Sequence, residues 1–131
     1  MQDERLLRAT RAMKLKDYDT AMKLLSQEAV DKPDSFIVFD LRAACCLHSG
    51  KHEQALDDAM QCTKLNPEWA RGWARLGAAQ LCMGHMRACV SAYRRGLELD
   101  PASSEMQLGL KMAQQAQAAV PQDRRKAMHH T

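Results

Sequence analysis

The residues with the sharpest chemistry lie in one stretch, Asn66 to Gly77, "NPEWARGWARLG". Arg71 and Arg75 are four residues apart, and so are Trp69 and Trp73. On a helix, residues three or four apart share a face, so each pair predicts a stripe. A guanidinium offers several donors in a planar fork that fits a carboxylate. Two on one face predict a site for an acidic group. Cys45, Cys46 and His48 raise metal binding or a thiol nucleophile. Successive residues of a helix point in different directions, so they do not converge on one ion. No third group stands ready to orient a Cys–His pair. The chain has no CxxC. No catalytic residue, metal or other cofactor is therefore expected. His129 and His130 close a basic run, "DRRKAMHH", whose expected role is a solvated terminus.

The elements that must carry these residues are legible in a 34-residue period. Pro33, Pro67 and Pro101 recur at that spacing, as do Gly50 and Gly84. Small residues form further columns: Ala9, Ala43 and Gly77, then Ala21, Ala55 and Cys89. Four prolines, six glycines and few β-branched residues favour an all-α chain. Each period holds two amphipathic segments split by a short turn, with glycine ending the first helix and proline following the second. Helices are expected near Asp3–Leu15, Tyr18–Val30, Ser35–His48, Glu53–Lys64, Glu68–Cys82 and Arg87–Leu99. A seventh follows Ser103 or Ser104 as N-cap and runs to about Ala118. With Met106, Leu110, Ala113 and Ala116 on one face, it reads as a helix capping the stack.

The expected organisation is one domain over 2–118, with repeats at about 2–35, 36–69 and 70–103 and the cap at 104–118. Residues 119–131 are expected to be a disordered basic tail. The first helix of each pair is expected to line a concave groove. On the fifth helix, Trp69, Trp73, Leu76, Gly77 and Gln80 form the packing stripe. Arg71, Arg75 and Ala78 then face the groove. Ile37, Leu41 and His48 do so on the third helix, and Leu6, Thr10 and Met13 on the first. The groove is thus apolar at one end and cationic at the other, which suits a peptide with apolar side chains and an acidic group.

The net charge of +3 is small, and Arg124, Arg125 and Lys126 against Asp123 supply about two of it. The nearly neutral body argues against a nucleic-acid footprint. Five cysteines in no framework predict free thiols and a reducing compartment, the cytoplasm or the nucleus. The start, "MQDERLLRAT", has no apolar core for a signal peptide, and no apolar run reaches membrane-span length.

The columns also carry a resemblance. "GKHEQALDDAMQCTKLNP" and "WARLGAAQLCMGHMRACVSAYRRGLELDP" resemble the tetratricopeptide repeat, with Trp73, Leu76, Gly77, Gly84, Tyr93, Gly96, Asp100 and Pro101 matching best. The resemblance implies a right-handed superhelical stack of three helix-turn-helix repeats plus a capping helix. "FDLRAACCLHSGKHEQALDDAMQCTKLNPEWARGWARLGAA" is similar to the three-repeat domains of heat-shock co-chaperones of the Hsp-organising type. That subfamily implies a clamp for the C-terminal Glu-Glu-Val-Asp of heat-shock proteins 70 and 90. Its Lys, Asn, Asn, Lys and Arg fall here on Leu6, Thr10, Leu41, Arg71 and Arg75. Three of the five depart from the pattern. Each charged hydrogen bond lost costs about 1.5–3 kcal/mol, so standard clamp affinity is not expected. The expectation is a monomeric, non-enzymatic peptide-binding adaptor or co-chaperone. The alternative is a scaffold subunit of a ciliary or other multiprotein assembly, its groove filled by a partner helix.

Overall fold

The computed structural model describes residues 4–119, and the basic run ending in His129 and His130 lies outside them. Among the described residues all regular structure is helical, in seven helices. These are α1 (Glu4–Lys14), α2 (Tyr18–Asp31), α3 (Phe36–His48), α4 (His52–Leu65), α5 (Ala70–Cys82), α6 (Met86–Leu99) and α7 (Ser104–Ala118). Local chemistry sets several of the ends. Asp17, Ser35 and Ser103 each accept a hydrogen bond from a backbone N–H three residues on, at 3.2, 3.4 and 3.2 Å. Each satisfies an amide that the first turn leaves without an intrahelical partner. Pro33, Pro67 and Pro101 sit in the turns that follow α2, α4 and α6.

The turns inside the hairpins are built alike. Gly50 and Gly84 take positive φ, 74° and 78°, as their column requires. The first hairpin has no glycine there. Lys16, 34 residues before Gly50, adopts φ 62° instead, in a conformation that costs a side-chain-bearing residue energy.

The hairpins α1/α2, α3/α4 and α5/α6 pack in series, and α7 lies on α5 and α6. Small buried residues let them approach closely. Ala9, Ala21, Ala43 and Ala55 are fully buried, and Cys45, Cys46, Cys62 and Cys89 fill similar volumes. Cores sit at the junctions: around Leu25 and Val38 between repeats one and two, around Ala43, Ala59 and Leu76 between two and three, and around Tyr93 and Met106 beneath the cap.

The order of contact gives the shape. Among the described residues α1 touches α3, α3 touches α5 and α5 touches α7, while α2, α4 and α6 do not touch one another. A stack whose odd helices meet and whose even helices splay is curved, with the odd helices on its inner side. The site residues singled out in the sequence all lie on α1, α3 and α5.

Candidate functional site

The site is centred where the N-terminal halves of α3 and α5 run side by side. Trp69 was expected inside the fifth helix, on the stripe of Trp73. It stands instead just before α5, with extended backbone at φ −100° and ψ 110°. The cause is the turn at Asn66-Pro67. The Asn66 side chain accepts from the Glu68 N–H at 3.3 Å, and its carbonyl accepts from the Trp69 N–H at 3.3 Å. Freed from the helix, the Trp69 ring meets Phe36, the first residue of α3, edge to face at 4.9 Å between centroids. The Arg71 guanidinium lies over the other part of this platform, 5.7 Å from the Trp69 ring. Trp73 keeps the expected packing role. Its indole N–H donates to the Pro67 carbonyl at 2.8 Å, tying the turn to the helix.

The two arginines of the pair differ. Arg71 is exposed, in the first turn of α5. That turn has no acidic residue and no side-chain cap, so its amides and dipole favour an anion. Arg75 is 26% exposed and its Nε donates to Asp40 Oδ1 at 2.8 Å. Asp40, on α3, is 1% exposed. Burial pushes its carboxyl above the ordinary aspartate value, while Arg75 and then Arg71 pull it back. Glu105 at the start of α7 adds a repulsion. The arginine pair therefore offers one exposed guanidinium and one engaged from within the protein.

The remaining predicted residues divide. Leu6, Met13 and Leu41 are half-buried and pack against the first core. Of the apolar residues expected to line the groove, Ile37 has the most exposure, at 36%. Thr10 spends its hydroxyl proton on its own helix, donating to the Leu7 carbonyl at 2.9 Å. Ala78 is half-buried on α5. His48 is drawn off by Tyr18: the rings stack at 4.9 Å and 2°, at the far end of α3 from Arg71. The structure thus sets Arg71 and Arg75 beside the N-terminal half of α3, the half that carries Ile37, and places His48 at the other end of that helix.

Two participants are not among the residues singled out from the sequence: Asp40 and Phe36. A signal for Asp40 existed. A lone acid amid "FIVFDLRAACC" needs a cation, and Arg75 lies one repeat and one residue further on.

At four of the five cysteines burial disfavours thiol chemistry, pushing Cys45, Cys46 and Cys89 up to about 11 and Cys62 to about 12, while Cys82 is exposed. Among the described residues no cluster of His, Cys, Asp or Glu could hold a metal ion, and no helix is long and apolar enough to cross a membrane.

Comparison with known proteins points the same way as the fold. Residues 70–103 match the family described as "Tetratricopeptide repeat". Heat shock protein STI1 of Saccharomyces cerevisiae is 36% identical over 123 residues, covering 91% of this chain and 21% of that protein. The chain spans about a fifth of the length of such curated relatives. The Sgt2 TPR domain from Aspergillus fumigatus is 31% identical with a TM-score of 0.83, covering 87% of this chain and 77% of that one. The first TPR of Spaghetti (RPAP3), solved bound to the HSP90 peptide SRMEEVD, has a TM-score of 0.85 at 23% identity, with 88% and 91% covered.

Proposed function

We propose for this chain, which belongs to the tetratricopeptide-repeat family, the role of a peptide-binding adaptor that receives an acidic peptide on its odd-helix face. The peptide class best supported is the C-terminal tail of heat-shock proteins 70 and 90, which would make it a co-chaperone domain. The relatives named above support that class. The observation that carries the site is Arg71, exposed and stacked on Trp69 at the uncapped start of α5.

In this reading Arg71 takes a ligand carboxylate. The Trp69–Phe36 platform takes an apolar side chain beside it. Ile37, with Leu41, Leu6 and Met13 behind, lines the rest. Thr10, with its proton already donated, offers an acceptor and no free donor. Ala78 leaves room along α5. His48 stands beyond the part of the groove that a short peptide would fill. Binding of this kind involves no reaction and no cofactor. The compartment that goes with it is the cytoplasm.

The test is to map amide chemical-shift changes on adding the peptide SRMEEVD to the full chain. Perturbations concentrated on α3 and α5 around residues 36–41 and 69–78 support the groove. Changes confined to α2, α4 and α6 would move the site elsewhere.

A further inference from the structure

We propose that Asp40 is a specificity-determining residue of this groove: by engaging Arg75 from inside the protein, it turns the site away from a peptide's terminal carboxylate and leaves recognition to Arg71 and apolar contact. The inference rests on the adaptor reading given above.

The 34-residue frame shows that the acid is not demanded by the fold. The positions equivalent to Asp40 are Leu6 and Ala74, and those equivalent to Arg75 are Leu41 and Leu7. The repeat accepts apolar residues at both places. In the middle repeat an acid stands instead at 1% exposure, and Arg75 reaches it from the next repeat at 2.8 Å.

The consequence for a ligand follows from charge. Asp40 is faced by Arg75 and Arg71 from α5, by the Cys62 thiol from α4 and by Glu105 from α7. On its own helix Cys45 adds only a buried thiol near Arg75. Arg71 and Arg75 against Asp40 leave a net charge of +1, which Glu105 reduces further. An incoming carboxylate has two routes to Arg75, and both are unfavourable. If it displaces Asp40, a buried carboxylate loses its hydrogen-bonded partner. If it shares the guanidinium, two like charges sit a few ångströms apart in a partly desolvated place. Arg71 carries neither penalty, because it is exposed. A ligand acid on a side chain or within a chain therefore serves as well as a terminal one.

The experiment titrates the full chain calorimetrically with SRMEEVD as the free acid and as the C-terminal amide. Proteins compared are wild type, Asp40→Asn, and Asp40→Asn combined with Arg75→Ala. Asparagine keeps an acceptor for the Arg75 Nε and removes only the charge. The wild type is expected to bind acid and amide within about threefold of each other. Asp40→Asn is expected to tighten the acid by about tenfold or more and the amide by less than about twofold, a gain of the size that relief of like-charge contact provides. Arg75→Ala in that background should erase the gain.

If Asp40→Asn binds with an unchanged acid-to-amide ratio, the role of Asp40 is overturned and the adaptor reading stands. If neither wild type nor Asp40→Asn binds either peptide, both are overturned.

Discussion

Gly77 lies so close to the ring of Tyr93 that a Cβ on it would come within 2.8 Å of ring carbons. Gly109 on α7 presses the same ring from another helix, its Cβ position 2.5 Å from the Tyr93 Cζ. One aromatic side chain of α6 thus fastens both α5 and the cap, and it fits only because both neighbours lack a side chain. Gly77→Ala must push the ring aside, and overpacking of this kind costs about 1–3 kcal/mol. Urea unfolding checks it: the midpoint should fall with the slope unchanged. A midpoint equal to that of the wild type would show that the ring has room.

The turns offer a matched pair. Lys16 occupies by strain the conformation that Gly50 and Gly84 occupy freely. Gly84→Ala should destabilise by about 1 kcal/mol, since nothing lies near the added Cβ and only the backbone objects. Lys16→Gly should stabilise by up to about 1 kcal/mol, less the entropy that glycine adds to the unfolded chain. The two changes are read from the same unfolding curves.

These turns show what was legible in the sequence and what was not. Periodic prolines, glycines and small residues mark helix order and junctions, because each is a local requirement that recurs from repeat to repeat. The placement of Trp69 was not legible, because an Asx turn at Asn66 takes that residue out of the helix and the four-residue spacing from Trp73 imitates a stripe. That a buried Asp40 needs a cation is legible in the sequence, but which cation meets it is not. The choice depends on which face of α3 meets α5, and that is set by packing between repeats. Spacing alone puts His48 in the groove, whereas its neighbour across the junction between repeats one and two, Tyr18, decides where it lies.

Buried acids give the fold a pH signature. Arg42 holds Asp58 with two hydrogen bonds, at 2.9 and 2.8 Å, and Asp58 is 3% exposed. Burial still pushes the carboxyls of Asp58 and Asp40 above the ordinary value of 3.8. Each therefore binds its proton more tightly folded than unfolded. The folded state carries the extra proton just above pH 3.8, so these two groups lower stability as pH rises through that window. Asp40→Asn and Asp58→Asn should each flatten that slope in thermal melts taken from pH 4 upward. Arg42→Ala should cost about 3–5 kcal/mol at neutral pH, because it strands a buried carboxylate. A loss under about 1 kcal/mol would mean that water reaches Asp58.

The cysteines should behave unequally. Cys82 is exposed, while Cys45, Cys46, Cys62 and Cys89 are buried with thiols raised to about 11 or 12. A disulfide reagent at neutral pH should titrate one thiol per native chain quickly and the other four only on unfolding. Cys82→Ser should remove the fast phase. Two or more fast thiols in the native chain would place one of the four at the surface.

The central claim is that Arg71, on its aromatic platform, receives the acidic group of a peptide on the odd-helix face. The most direct measurement is a calorimetric titration of SRMEEVD into wild type and Arg71→Glu. Saturable binding by the wild type, weakened by about tenfold or more in Arg71→Glu while the melting curve is unchanged, is the predicted result. Equal affinity in the two proteins, or no binding by the wild type, contradicts it.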